Sequence, residues 1–341
     1  MPTARWKVAR PAARRSSPHE FWRRERMSEH PFHQWVEAAR PRAQLWRTLA
    51  GFALILVIWT AWTVVLGLIV VSGGLLRPEL LSPAATGQTG FLTFTDVALT
   101  MGVMLVTFWG LWLGAWIVLK VLHRRGLSSV MAHDGRLRLG QFGIGMAVAV
   151  AYLGAGLIYN VVMGSAPAQS GVEMGEWLVA FVPLVVLVLI QSAGEEVVFR
   201  GYLPQQLAAR WRTPFVWGFL PSLAFGLAHV LNGGALDAFA LYYVVAATML
   251  GLVMMAMVWR TGSLAAAMGF HFANNIGALL MIGIAGIGPP VSLFVWLPGE
   301  ALAGASADLL MLGILLAFVL SPFAPLPKGQ ALRRNETRAA P

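Results

Sequence analysis

Six polar or charged side chains lie within stretches of the chain that are otherwise apolar. They are Glu195, Glu196, Arg200, His229, His271 and Asn275. A charged side chain at the centre of a bilayer costs roughly 2.5–3.5 kcal/mol on insertion scales, so such residues normally face a protein interior and have a partner there. Since polar groups in hydrocarbon need partners within the bundle, we expect these side chains to converge on one polar intramembrane site.

The two adjacent glutamates are predicted to have different roles. Arg200 follows Glu196 by four residues, which places both side chains on one helical face and allows an ion pair. Glu195 has no such local partner. A carboxylate and an imidazole can share a water molecule, deprotonate it and return the proton to a leaving amine, so Glu195 and His229 are candidates for acid–base catalysis.

His271 and Asn275 are also four residues apart and share a helical face. An imidazole beside an amide can donate hydrogen bonds to an oxyanion. Glu195, His229 and His271 could alternatively bind zinc, which accepts nitrogen and carboxylate ligands and keeps one position open in catalytic sites. The chain has no HExxH sequence, no cysteine and no GxSxG sequence, so zincin geometry, thiolate ligands and an elbow serine nucleophile are not indicated.

Each feature also has a structural or non-enzymatic interpretation. The glutamates could lie solvated in the headgroup region beside Arg200, a histidine in a membrane helix is often a structural residue, and HxxxN could be an interhelical clamp. Glutamate and histidine in membrane spans could form the proton relay of a transporter or channel. The same residues could also belong to a catalytically silent scaffold that binds a partner.

Composition indicates that the elements positioning these residues are membrane-spanning helices. Hydrophobic residues make up 57% of the chain and charged residues 12%, whereas a soluble domain has about 25% charged residues. We predict an all-α polytopic membrane protein with about eight transmembrane helices, each judged against a length of ~20 residues. The predicted spans are 48–72, 97–122, 142–163, 177–199, 214–231, 238–259, 262–285 and 303–322.

The predicted spans place Glu195 and His229 at different depths. Glu195 would lie one to two turns from the cytoplasmic end of its span, whereas His229 would lie more than ~20 Å deep at ~1.5 Å per residue. Since Pro221 can break a helix, we expect a kinked or re-entrant piece at 214–221 and a cavity in the cytoplasmic half of the bundle.

Positive charges predict the orientation of the chain. With a cytoplasmic amino terminus, 24 of the 25 Lys and Arg residues lie in cytoplasmic segments and only Arg77 lies outside. This positive-inside pattern predicts that both termini are cytoplasmic. It also explains the net charge of +10 better than nucleic-acid binding does.

We predict four regions along the chain. Residues 1–43 are a basic, mostly disordered cytoplasmic arm with a short interfacial helix around 32–40, and residues 44–139 contain two accessory transmembrane helices with loops. Residues 140–322 form the core that contains the polar site, and residues 323–341 are a disordered cytoplasmic tail. The expected location is the cell membrane, as a multi-pass protein whose partners include the lipid bilayer and no nucleic acid.

Three ordered motifs resemble the CPBP family of intramembrane proteases, which includes type II CAAX prenyl endopeptidases and abortive-infection or bacteriocin-immunity proteases. EEVVFR (Glu195–Arg200) fits EExxxR, FGLAH (Phe225–His229) fits FxxxH, and HFANN (His271–Asn275) fits HxxxN. The resemblance covers roughly residues 140–322 and identifies that region as a protease-like core.

The resemblance implies an intramembrane endopeptidase that cleaves a membrane-tethered peptide or protein, with a prenylated CAAX-like peptide as one candidate substrate. It implies that Glu195 and His229 activate water, and that His271 and Asn275 stabilise the oxyanion. Glu196 and Arg200 would support the site structurally. Metal dependence stays open, because the family is often called metal-dependent and a metal-free glutamate–water mechanism has also been argued for it.

Overall fold

The computed structural model describes residues 30–76, 93–230, 237–287 and 289–326. The helices are α1 (Pro31–Glu37), α2 (Leu45–Ser72), α3 (Phe94–Thr107), α4 (Trp109–Val121), α5 (Ser128–Met131), α6 (Leu139–Val162), α7 (Met174–Glu196), α8 (Leu203–Ala208), α9 (Leu220–Ala228), α10 (Ala238–Thr261), α11 (Ala265–Asn275), α12 (Pro298–Ala303) and α13 (Ala305–Leu320). Three further segments are π-helical, at Val197–Tyr202, Phe215–Phe219 and Ile276–Met281. The strands are β1 (Ala168–Gln169), β2 (Ile282–Ile284) and β3 (Phe294–Trp296), in the order β1–β3–β2.

Five helices of the described chain are long and apolar enough to cross a membrane. They are Leu45–Ser72, Phe94–Val121, Leu139–Val162, Met174–Ala208 and Ala238–Thr261. This confirms the predicted polytopic, all-α membrane protein. Each of the eight predicted spans contains a helical segment, but the span 262–285 ends in strand β2, and Phe215–Ala228 and Ala305–Leu320 are shorter apolar helices. α11 has 11 residues and is mostly buried within the protein, below the ~20 residues that a span needs.

The helix that contains the two glutamates is longer than predicted. It does not end at residue 199 but continues through the π-helical turn Val197–Tyr202 to Ala208. Glu195 is therefore 13 residues (208 − 195) from the helix end, a distance of about 20 Å at 1.5 Å per residue. His229 is 14 residues (229 − 215) from Phe215, so both residues lie at similar depth. The predicted end of the span at residue 199 therefore gave the wrong depth for Glu195.

Irregular helix geometry occurs where the sequence predicts a break. Phe215–Phe219 is π-helical, and Pro221 lies in the first turn of α9. Proline has no backbone N–H, and it is tolerated in the first turn of a helix because the N–H groups there have no intrahelical acceptor. The predicted irregularity is thus a wide turn within one helical segment, and His229 follows directly at its end.

Close contact between α6 and α11 holds the helix that contains His271. At Gly145 a Cβ atom would collide with the backbone carbonyl of Ala266, and at Gly269 it would collide with that of Phe142. The two backbones touch only because both positions lack a side chain. This glycine-mediated packing is typical of membrane helices.

Residues 30–43 differ from the predicted disordered arm. α1 packs onto the bundle with Phe32 and Trp35 buried. The Trp35 indole donates to the carbonyl of Val130 (2.9 Å), and Gln205 donates to the carbonyl of Trp35 (2.7 Å). The helix is thus packed on protein, although the sequence predicted an interfacial helix. The expected disorder of residues 1–29 lies outside the described residues.

The start of the predicted disordered tail is likewise packed. Ala324 and Leu326 are buried, and the buried Arg260 guanidinium donates to the carbonyls of both residues (3.2 and 3.0 Å). Residues 327–341, where the rest of that tail was predicted, lie outside the described residues. Arg260 therefore fixes the chain that follows α13 against the end of α10.

Candidate active site

Glu196 is the buried centre of a charged network. Its Oε1 atom accepts from the Arg200 guanidinium (2.9 Å) and from Nδ1 of His271 (2.8 Å). Glu196 and Arg200 are almost fully buried, at 0% and 1% exposure. The predicted i,i+4 ion pair is therefore present, and a third partner joins it from α11. A buried ion pair of this kind fixes geometry more than it adds stability.

Arg200 is oriented by an aromatic ring as well as by Glu196. Its guanidinium carbon lies 3.9 Å from the centre of the Phe225 ring, a cation–π contact. Among the described residues, its Nε and one terminal nitrogen have no hydrogen-bond partner. The sequence placed Arg200 among the cytoplasmic cations, whereas the structure places it in the buried site.

Glu195 is held by an amide that the motifs do not include. The Gln191 amide nitrogen donates to Oε2 of Glu195 (2.7 Å), and the Gln191 carbonyl oxygen accepts from Asn275 (2.9 Å). Gln191 precedes Glu195 by one helical turn, so both point to the same side of α7. Through Gln191 the first and third motifs are joined into one network.

His271 lies between the two glutamates. Its Nδ1 is bonded to Glu196, and its Nε2 lies 3.4 Å from Oε2 of Glu195. If Nδ1–H donates to Glu196, a neutral ring presents only an acceptor at Nε2. Two acceptors do not face each other favourably, so Glu195 and Nε2 of His271 must share a proton or a donor between them.

His229 faces the same space from the end of α9. Its Nδ1 lies 2.7 Å from the carbonyl of Phe225, which can only accept, so Nδ1 has the hydrogen. Nε2 of the neutral ring is then a free acceptor. The Phe225 ring lies 4.5 Å from the His229 ring and 5.7 Å from the His271 ring. Phe225 therefore packs against both histidine rings.

A cavity of about 660 Å³ lies against both histidines, His229 and His271. Its wall includes His229, His271 and Asn275, together with Asn274 and the ring of Phe225. Glu195 is 6% exposed and is linked to this wall through His271, whose Nε2 lies 3.4 Å from its carboxylate. The cavity is otherwise lined mainly by apolar side chains, as expected for a ligand pocket with a few convergent polar groups.

The position of the cavity conflicts with one expectation. Its wall includes Asn160 near the end of α6, Tyr242 near the start of α10, Asp308 near the start of α13 and Trp296 on β3. These positions lie at the opposite end of the bundle from the helix ends that contain the arginines. If the basic helix ends face the cytoplasm, as the positive-inside pattern predicts, the cavity lies in the opposite half of the bundle. With that orientation, the prediction of a cavity in the cytoplasmic half is wrong.

Residues 177–277 match the family model described as Rce1-like, type II CAAX prenyl endopeptidase Rce1-like. The chain contains an Rce1-like segment. This confirms the resemblance predicted from the three motifs. The chain is also 22% identical over 243 residues to the uncharacterized protein YyaK of Bacillus subtilis (strain 168), covering 70% of this chain and 78% of that protein. The Rce1-like family is a protease family, which supports peptidase activity.

The donor set of the Rce1-like segment does not fit the zinc site considered for Glu195, His229 and His271. Within the described residues, no group of three or more His, Asp or Glu side chains is placed to hold a metal ion. Both ring nitrogens of His271 already face the glutamates, and Nδ1 of His229 is bonded to the carbonyl of Phe225. No step of the proposed chemistry is therefore assigned to a metal.

Gln191 is the site residue of the Rce1-like segment that sequence reasoning missed. It lies four residues before Glu195 in an apolar stretch, so the helical spacing that pairs Glu196 with Arg200 would also have found it. Asp308, Tyr152 and Tyr242 also line the cavity and were not predicted. They lie on helices far apart in sequence, and no local spacing links them.

Proposed function

We propose that the protein is an intramembrane endopeptidase that hydrolyses a peptide bond of a membrane-tethered substrate with water activated by Glu195. The observation that supports this most strongly is the placement of Glu195. It is held by Gln191 and contacts His271, whose ring lines a cavity of about 660 Å³. The Rce1-like match over residues 177–277 supports the same activity. The comparisons offer no support for a transporter or a scaffold.

In the proposed reaction, a water molecule in the cavity is bound by two acceptors. The Glu195 carboxylate accepts one of its hydrogens, and the free Nε2 of His229 accepts the other. Both lone pairs of the water then remain available for attack on a peptide carbonyl carbon. Glu195 takes the proton as the oxygen–carbon bond forms, which is general base catalysis. His271 and Gln191 hold the carboxylate in position for this transfer.

The tetrahedral intermediate needs donors for its negatively charged oxygen. Asn275 uses one of its two amide hydrogens on Gln191, so the second can point into the cavity and stabilise the oxyanion. We assign this role to Asn275, together with the Nε2 proton of His271, which turns from Glu195 to the oxyanion once Glu195 has taken the proton of the water. Glu195 then returns its proton to the leaving nitrogen, the carbon–nitrogen bond breaks, and a carboxylate and an amine are released.

Glu196 and Arg200 act through His271 in this scheme. Glu196 fixes the ring by accepting from Nδ1, and Arg200 balances the charge of Glu196. The proposed location is the cell membrane, with the chain crossing it several times. A prenylated CAAX-like peptide is the first substrate to test, because the matching family description names CAAX prenyl endopeptidases.

The proposal is tested with purified protein in liposomes that contain tethered peptides. Hydrolysis in ¹⁸O-labelled water should place one ¹⁸O atom in the new carboxyl group, detected by mass spectrometry. Glu195→Gln and His229→Ala should each abolish the product. Solute or proton flux that depends on Glu195, without any peptide cleavage, would overturn the proposal.

A further inference from the structure

Asp308 is a carboxylate in the cavity wall that the proposed hydrolysis does not use. It lies in the first turn of α13. Its Oδ1 accepts from the hydroxyl of Tyr152 on α6, and its Oδ2 accepts from the hydroxyl of Tyr242 on α10 (3.0 Å). Three helices thus meet at this one side chain inside the cavity.

Asp308 acts as a hydrogen-bond acceptor at the start of a helix. Both oxygens act as acceptors of hydroxyl hydrogens, which matches an acceptor-only group. The partial positive charge at the amino terminus of the 16-residue helix α13 also stabilises a negative charge in its first turn. The cavity wall therefore contains a carboxylate group that is separate from Glu195 and Glu196.

The Asp308 carboxylate has no cationic partner among the described residues. The ion pairs formed by their arginines involve Glu37, Asp134 and Glu196, and none involves Asp308. In the part of the chain that the structure describes, no Lys or Arg lines the cavity. A carboxylate offers about four acceptor positions, and the two tyrosines occupy two of them. Asp308 is only half-buried, so its remaining acceptor positions are accessible from the cavity.

The Asp308 cluster is connected to both histidines of the site. The Tyr152 ring lies 6.3 Å from the ring of Phe270, the residue before His271. Tyr243, next to Tyr242, has its ring 6.0 Å from that of His229. A peptide bound at the catalytic residues would therefore extend along the same wall toward Asp308.

We propose that Asp308, with Tyr152 and Tyr242, is a specificity subsite for a cationic side chain, Lys or Arg, of the tethered peptide. This inference rests on the proposed peptidase function. A cation would provide the charge partner that the largely apolar cavity lacks, and an acidic side chain would be repelled. The two tyrosines hold the carboxylate in one orientation. The carboxylate would therefore select a positive charge at a defined distance from the peptide bond that is cleaved.

The first experiment needs no variant of the protein. Tethered peptides with Lys, Gln or Glu at each position on either side of the cleaved bond are compared by kcat/KM in phosphatidylcholine liposomes. At one position, Lys should exceed Glu by at least about tenfold, with Gln between them. Equal rates for the three side chains at every position would overturn the proposal.

Variants then assign the selectivity to Asp308. Asp308→Asn should reduce the Lys-to-Glu ratio to about one, and Asp308→Lys should invert it. Ser306→Asn, on an exposed position of the same helix turn, is the control and should keep the ratio. If Asp308 serves only to clamp the three helices, Asp308→Asn lowers the melting temperature and all rates equally while the ratio is unchanged, which would overturn the proposal.

Two further measurements separate the proposed subsite from other causes of a charge preference. A lipid ammonium group has the same chemistry as a lysine, so the ratio is measured with and without phosphatidylethanolamine. An Asp308-dependent effect of that lipid, with no dependence on peptide charge, would overturn the proposal. Binding of the same peptides to the Glu195→Gln variant tests the subsite without hydrolysis. A Lys preference in binding without cleavage by the wild type would uphold the subsite and refute the proposed function.

Discussion

Glu195 and Glu196 are adjacent and both buried, yet their side chains have different partners. Glu196 is bound to a guanidinium and an imidazole, so its charge is balanced and its position fixed. Glu195 has the neutral amide of Gln191 and one contact of 3.4 Å to His271. A base that must accept and return a proton needs this looser environment. The difference between the partners, rather than burial, assigns the two roles.

Gln191→Leu tests whether the amide positions the base. The change keeps the volume similar and removes the links to Glu195 and Asn275, so kcat should fall about 10–100-fold, as for other residues that orient a catalytic group. KM should change little, because no direct contact with substrate is proposed. Steady-state cleavage rates measure both constants. Gln169→Leu, at an exposed position of β1, is the control, and a Gln191→Leu enzyme with wild-type kcat would contradict the role.

The contacts of Glu196 also show what local helical spacing can predict. The Glu196–Arg200 pair follows from four residues of helical spacing and is present at 2.9 Å. The contacts of His271 with Glu196 and Glu195 join residues 75 and 76 positions apart, so only the packing of α11 against α7 determines them. The motifs indicated that these residues meet, but not which nitrogen binds which carboxylate.

At the scale of secondary-structure elements, three π-helical turns adjoin the site. Val197–Tyr202 follows the glutamates and contains Arg200, Phe215–Phe219 precedes α9, and Ile276–Met281 follows Asn275. A π-helical turn changes the direction of the side chains that follow, and such turns are frequent at functional sites. The hydropathy pattern located the helices but contained no signal for these turns.

The helix ends show why some elements could not be predicted. The predicted end at residue 199 reflects the charge of Arg200, which the structure neutralises by pairing it with Glu196 inside the bundle. α1 was missed as a packed helix because its few apolar residues, Phe32, Trp35 and Val36, lie in a basic segment. Both errors arise from tertiary contacts that a local pattern does not contain.

Gly145→Ala tests the α6–α11 contact that positions His271. A Cβ atom there would collide with the carbonyl of Ala266, so the change should destabilise the protein by about 1–3 kcal/mol, as overpacking does. Gly143→Ala on the same helix is the matched control. Its Cβ would meet no atom within 4 Å, so that variant should be neutral or more stable by up to about 1 kcal/mol. Thermal unfolding in detergent compares them, and equal effects would contradict the packing account.

His123 connects the end of α4 to two other elements and should make stability depend on pH. Its Nδ1 lies 3.0 Å from the carbonyl of Arg42, and its Nε2 lies 3.0 Å from the Tyr202 hydroxyl. Burial, followed by the charges of Arg125, Arg47 and Arg42, lowers the pKa of His123 from 6.5 to about 4. The unfolded chain then binds more protons between these values, so stability falls as the pH decreases from 6.5 toward 4.

His123→Gln should reduce this acid sensitivity. Melting temperatures at pH 7 and pH 5 measure it, and the difference between them should be smaller in the variant than in the wild type. His133→Gln, at an exposed position of the following loop, should keep the wild-type difference. An unchanged difference in His123→Gln would show that other groups cause the acid sensitivity.

At the scale of the whole molecule, the basic helix ends and the cavity lie at opposite ends of the bundle. α1 packs over the basic end, where Gln205 and Trp35 are hydrogen-bonded. The cavity lies near the three-stranded sheet, whose residues Ile282 and Trp296 form part of its wall. With the predicted positive-inside orientation, a substrate would be presented from the side opposite to the cytoplasm.

Cysteine labelling tests this orientation, since the natural chain has no cysteine. Leu297→Cys is exposed beside the cavity wall, and Arg210→Cys is exposed at the basic end. In intact cells an impermeant maleimide should label the cysteine at position 297 and not the one at position 210. In inverted membrane vesicles the pattern should reverse. The opposite result would place the cavity on the cytoplasmic side and contradict the positive-inside prediction.

The rate of cleavage of a tethered peptide by the Glu195→Gln variant tests the central claim most directly. The full-length protein in liposomes is compared as wild type, Glu195→Gln and Glu176→Gln, the last at an exposed position in the first turn of the same helix. Removing the general base should lower kcat at least about 100-fold, while Glu176→Gln keeps the wild-type rate. Cleavage by Glu195→Gln at the wild-type rate would contradict the account.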